Sequence, residues 1–121
     1  MYVEEIKWLD KEGKEAILKV TNDTQSLMCF SCPCSYSAGD VLAEPLECLD
    51  TDAIVLCEIK ENCIEKMEGE LKYKLKGELK DRQNGIIDVY GFDIHIEEEK
   101  IPRDIISGMC VQFVASRIDV W

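Results

Sequence analysis

LKYKLKGELKDRQNGIIDVYGFDIHI, residues 71–96, is the stretch from which the architecture can be read. In its first ten residues Leu71, Tyr73, Leu75 and Leu79 alternate with Lys72, Lys74, Lys76, Glu78 and Lys80, so an extended chain has one apolar and one charged face. Gly77 falls on the apolar side, where a missing side chain marks a bend or the close approach of another backbone. Asn84-Gly85 tolerates the positive φ angles of a hairpin turn, and the surrounding DRQNG allows a loop longer than two residues. Beyond the turn, Ile87 and Val89 share one phase and Phe92, Ile94 and Ile96 the other; a bulge at Gly91 would turn both sets inward. Two arms, each with a glycine in mid-strand, suit a strongly curved sheet or a small barrel.

The period of two continues on both sides. Turn-forming clusters (DKEG, TNDT, SAGD, LDTD, RQNG) separate further strand candidates at residues 2–9, 15–21, 26–32, 41–49, 53–60 and 109–121. Helical signal is confined to residues 102–106, where Pro102 can open a single turn and Gly108 follow it. ENCIEKMEGEL, residues 61–71, is too sparse in apolar residues to decide between a short helix and extended chain. The 121 residues contain no linker and no repeat. The expectation is therefore one mostly β domain over residues 1–121, a small strongly curved barrel or sandwich of six to eight strands, OB-like, with one short helical turn.

Charge narrows the choice of partner. The chain carries 25 acidic residues against 14 lysines and arginines, a formal net charge of -11, and such a field repels phosphate backbones and anionic lipids while drawing in basic surfaces. No apolar run reaches the roughly 18 residues of a membrane span, and MYVEEIKWLDKEGK lacks the basic and apolar regions of a secretory signal. Seven cysteines cannot all pair within one chain. A cytoplasmic protein with reduced thiols is expected.

CFSCPCSY, residues 29–36, concentrates Cys29, Cys32 and Cys34. A structural zinc takes four ligands in tetrahedral array, so this cluster needs a fourth from Cys48, Cys57, Cys63, Cys110 or His95, and the chain has no paired CxxC to provide it. In an extended SLMCFSC, Met28, Phe30 and Cys32 share one face and Leu27, Cys29 and Ser31 the other, which points Cys29 and Cys32 apart. Interior packing is the expectation for these thiols, and no metal, cofactor or catalytic residue is assigned. A redox CxxC would open a helix, and Pro33 and Cys34 continue a β context instead.

The remaining polar features read as surface. His95, between Asp93 and Glu97, is expected on the outward face of its strand, with no serine or cysteine placed beside it by a recognisable motif. Lys72, Lys74, Lys76 and Lys80 form a basic stripe without aromatic residues for base stacking, and lysines of this kind also guard a strand edge against pairing. Glu97-Glu98-Glu99 is a solvated acidic run. Neither phosphate-loop pattern, G-x-x-x-x-G-K-[ST] nor G-x-G-x-x-G, occurs.

FSCPCSYSAGD (residues 30–40) and IPRDIISGMCVQFVASRIDVW (101–121) resemble segments of small acidic bacterial proteins of unknown function. The resemblance implies a compact, OB-like β domain and carries over no catalytic residue. In those proteins a histidine often stands at the position of Cys32, which the resemblance sets against a fixed ligand set of three thiols.

The functional expectation is a non-enzymatic interaction domain whose partner is a basic protein, in the manner of an immunity protein or antitoxin that blocks a basic toxin. One alternative is a thiolate metal-binding protein centred on Cys29, Cys32 and Cys34. Another is an OB-type oligonucleotide binder that uses the lysine stripe.

Overall fold

The computed structural model describes residues 1–121 and contains ten strands: β1 (Tyr2–Asp10), β2 (Glu15–Thr21), β3 (Ser26–Ser31), β4 (Leu46–Thr51), β5 (Val55–Leu56), β6 (Cys63–Lys66), β7 (Tyr73–Asp81), β8 (Ile86–Val89), β9 (Phe92–His95) and β10 (Cys110–Asp119). The alternation that opened the sequence reading is realised in β7, where Tyr73, Leu75, Gly77 and Leu79 are buried and Lys74, Lys76, Glu78 and Lys80 face out. Strands β7, β8 and β9 form an antiparallel meander. β9 then pairs in parallel with β4 through Leu46–Ile94 and Glu47–His95.

Closure depends on β10. Its first half, Cys110 to Ala115, pairs with β7, and its last three residues, Arg117 to Asp119, pair with β4. The ring β7–β8–β9–β4–β10 is therefore a closed five-stranded barrel, and a barrel has no free edge along the strands that close it. β5 continues the line of β4 along β10, and β6 lies beside β7. The meander β1–β2–β3 joins the barrel where Phe30 meets Asp119. Phe92, Phe113, Leu46, Leu75, Leu79, Ile87, Ile94 and Ile118 fill the interior with less than 2% of their surface exposed. Burial of each contributes roughly 1.5–3 kcal/mol. No helix is long and apolar enough to cross a membrane.

Four local expectations are corrected. The strand count is ten because residues 61–71 contain the strand β6 rather than a helix and the second hairpin arm is divided into β8 and β9, while 53–60 gives only the two-residue β5. Strand 41–49 starts later, at Leu46, with Val41 making only a single bridge to Tyr2. At Gly91 there is a hairpin turn instead of a bulge: Tyr90 (φ 50°) and Gly91 (φ 88°) join β8 to β9 between Val89 and Phe92. Two successive positive φ values match the right-handed twist of the flanking strands. This unusual tyrosine backbone is held from outside, since Tyr90 N–H donates to Asn62 Oδ1 (3.0 Å) and Asn22 Nδ2 donates to the Tyr90 carbonyl (2.7 Å). The helical turn lies at Glu98–Lys100, ahead of residues 102–106. Pro102 forces Ile101 into extended backbone (ψ 121°) and so ends the turn before it.

Ile101 and Ile105 are nevertheless buried, and Arg82 fastens their segment to the β7–β8 hairpin. Its guanidinium donates to the carbonyls of Ile105 (2.8 Å), Ile101 (3.2 Å) and Pro102 (3.2 Å). Hydrogen bonds from a charged donor contribute more than neutral ones, so Arg82→Ala is expected to cost about 1.5–3 kcal/mol and to speed amide exchange at Ile105 and Gly108. Unchanged exchange there would show that the apolar contacts of Ile101 and Ile105 suffice.

Candidate acidic cleft

The structure separates the three clustered cysteines. Cys29 is buried on the inner face of β3 with Leu27 and Ser31, Cys34 is buried just beyond it, and Cys32 is exposed, its thiol donating to the Gly13 carbonyl (3.7 Å). Packing therefore describes Cys29 and Cys34 but not Cys32, because the alternation of β3 carries past Ser31 and turns Cys32 outward. Burial drives the Cys29 thiol far above the ordinary thiol range and pushes Cys48 up to about 12. No three His, Cys, Asp or Glu side chains come together in an arrangement suited to a metal ion.

Two of the four lysines of the stripe are held by carboxylates. Lys76 pairs with Glu61 (3.1 Å) and Lys80 with Asp93 (3.1 Å), while Lys74 sits in β7 between Glu65 of β6 and Val114 of β10. His95 faces outward, as its phase predicts, but it is not a free surface histidine. Its Nδ1 lies 2.6 Å from Glu47 Oε2, a partner supplied by the parallel β4–β9 pairing. That contact joins residues 48 apart in sequence and has no local signal.

On the outer wall of the barrel the register aligns acids. Asp93 of β9 stands opposite Asp88 of β8, Asp88 opposite Glu78 of β7, and Glu78 opposite Cys110 of β10. Side chains paired in this way have Cβ atoms about 4.5–5.5 Å apart, and like charges directly opposite each other destabilise a sheet. Lys80 answers Asp93, and Lys60 answers Glu78 at 3.3 Å. Asp88 makes no ion pair of its own, although its charge acts on the nearby Lys80; its Oδ1 accepts the Gly91 N–H (2.8 Å).

Residues 57–62 fold across this wall, tied down by Lys60 to Glu78, Glu61 to Lys76 and Asn62 to the Tyr90 N–H. Between that loop and the strands is an open cleft of about 300 Å³ lined by Lys60, Glu61, Asn62, Glu78, Asp88 and Cys110. Three carboxylates and one ammonium give it an acidic lining. Removing the unpaired charge while keeping its acceptor, as in Asp88→Asn, is expected to stabilise the fold by about 0.2–1 kcal/mol. A denaturation midpoint that falls would mean that the aligned carboxylates are not in conflict.

The sequence reading missed this site. Its acids lie on two strands and a loop, and only the register of β7 with β8 and the path of residues 57–62 make them neighbours. Comparison with family models, curated proteins and solved structures gives no match, so the resemblance to small acidic bacterial proteins extends no further than a compact β barrel.

Proposed function

We propose that this protein is a non-enzymatic, cytoplasmic interaction domain that binds a basic protein by taking a lysine or arginine side chain between Glu61, Glu78 and Asp88. The observation that carries this reading is the carboxylate row Asp93–Asp88–Glu78, whose like charges stand opposite one another and whose middle member, unlike the two ends, makes no ion pair of its own. A partner cation relieves that repulsion on binding. The wider surface agrees, since only eight of the 25 acidic residues stand in ion pairs. An immunity-type role, in which complementary charge speeds capture of a basic toxin, is the version most in keeping with this surface.

We also read the barrel as OB-like with its strand order permuted. The meander β7–β8–β9, the helical turn before β10, and the pairing of β10 with β7 follow the order of an OB barrel whose last strand, β4 here, has moved to the front. An OB domain uses the face of its second and third strands for oligonucleotides. Here that face carries Asp88 and Asp93, and the lysines next to it are already paired, which weighs against the oligonucleotide alternative. The thiolate-metal alternative has the outward turn of Cys32 against it.

Affinity capture from the native host, followed by purification of the captured protein, tests the reading. The expected result is a saturable complex with a protein of basic surface whose Kd weakens about tenfold or more between low and high salt. Salt-insensitive binding, or preferential retention of single-stranded nucleic acid, would overturn it.

A further inference from the structure

The wall of the cleft contains a second chemical feature, a facing pair of thiols. β5 pairs with β10 through Val55–Gln112 and Leu56–Val111, so the next residue, Cys57, falls opposite Cys110. The Cys57 N–H donates to the Cys110 carbonyl at 2.9 Å. A hydrogen-bonded antiparallel pair holds its Cα atoms about 5.5 Å apart, inside the roughly 4.4–6.8 Å range of disulfides. Cys57 is half-buried and reachable, while Cys110 is 4% exposed and donates its thiol proton toward the Glu61 carbonyl (3.5 Å).

We propose that Cys57 and Cys110 form a reversible disulfide by exchange with a low-molecular-weight disulfide of the glutathione type. The Cys57 thiolate attacks one sulfur of the small disulfide, forming a mixed disulfide and releasing one small thiol, which takes up the proton that Cys57 lost. The Cys110 thiolate then attacks the Cys57 sulfur and releases the second small thiol in the same way. Two protein thiols are oxidised, one small disulfide is reduced to two thiols, and no other reactant is needed.

The other thiols are set apart from this exchange. Cys63 stands opposite Lys76, on the far side of β7 from β10. Burial holds the Cys29 and Cys48 thiols protonated, pushing Cys48 up to about 12. Burial and the Cys110 thiol also raise Cys57, and the nearby Lys76 opposes that shift, so exchange is expected to be slow at neutral pH and faster in mild alkali. The link ties the start of the 57–62 loop to β10. Its effect on partner binding rests on the cleft reading given above; its formation does not.

The test incubates the full chain with mixtures of oxidised and reduced glutathione, blocks free thiols, and maps the peptides by mass spectrometry. The expected product has lost two hydrogens and contains a peptide linking Cys57 to Cys110, and it persists in Cys32→Ser and Cys63→Ser. Cys110→Ser is expected to trap glutathione on Cys57, and Cys57→Ser to yield no link to Cys110. Glutathione retained on Cys57 of the native chain, a link from Cys57 to Cys63, or modification of Cys32 alone would overturn the proposal. The native-chain map decides even if a serine variant fails to fold.

Discussion

Gly77→Ala is expected to cost more than about 3 kcal/mol, a large share of the roughly 5–15 kcal/mol that keeps a domain folded. A Cβ at this position would stand 2.9 Å from the Asp88 carbonyl carbon and 2.8 Å from Val89 Cγ2, and closer still to the Asp88 carbonyl oxygen. These are atoms of the neighbouring strand, so relief requires moving backbone. β7 cannot shift outward, because Gly77 is also paired with Val111 of β10 and the next residue, Glu78, with Asp88 of β8. Gly13→Ala is the control. There the new Cβ meets the end of the Asp10 side chain at 2.8 Å, which can swing away. Urea unfolding followed by circular dichroism should separate the two variants clearly, and equal midpoints would mean that β7 and β8 do not cross as described.

Phe113→Ala is the second large effect, at about 3–5 kcal/mol. Phe113 is 1% exposed and lies on the half of β10 that pairs with Leu75 of β7. Truncation removes most of a ring from the interior and leaves a cavity whose walls are strands fixed by closure of the barrel, so relaxation into the space is limited. Val114→Ala, next to it and half-exposed on the outer face, should cost well under half as much. Comparable losses at the two positions would place the interior on the wrong side of β10.

The comparison between sequence and structure has a physical pattern. Alternation identified β7 because one face of that strand meets the core and the other meets solvent, and the same rule set Cys29 and Ser31 on the face opposite Cys32 and His95 outward. The phase of Gly77 alone pointed to a bend or a close backbone approach, and the structure shows the close approach. What escaped the reading was set by partners distant in the chain. The turn at Tyr90 and Gly91 depends on Asn22 and Asn62, and the partner of His95 comes from β4. The acidic row requires the registers of three strands at once, and alternation within one strand holds no information about which residue of the next strand lies beside it. The shift of the helical turn was available in principle, since Pro102 restricts the residue before it.

Binding of the purified basic partner to the native chain, to Asp88→Asn and to Glu12→Gln, compared at one low salt concentration, is the most direct test of the acidic cleft. Glu12 is exposed in the turn between β1 and β2, outside the cleft, and its variant removes the same single charge. Asp88→Asn is expected to bind at least about tenfold more weakly than the native chain, equivalent to about 1.4 kcal/mol, while unfolding at equal or higher denaturant. Glu12→Gln is expected to bind nearly as the native chain does. Equal weakening by both substitutions, or none by Asp88→Asn, would contradict a partner cation seated between Glu61, Glu78 and Asp88.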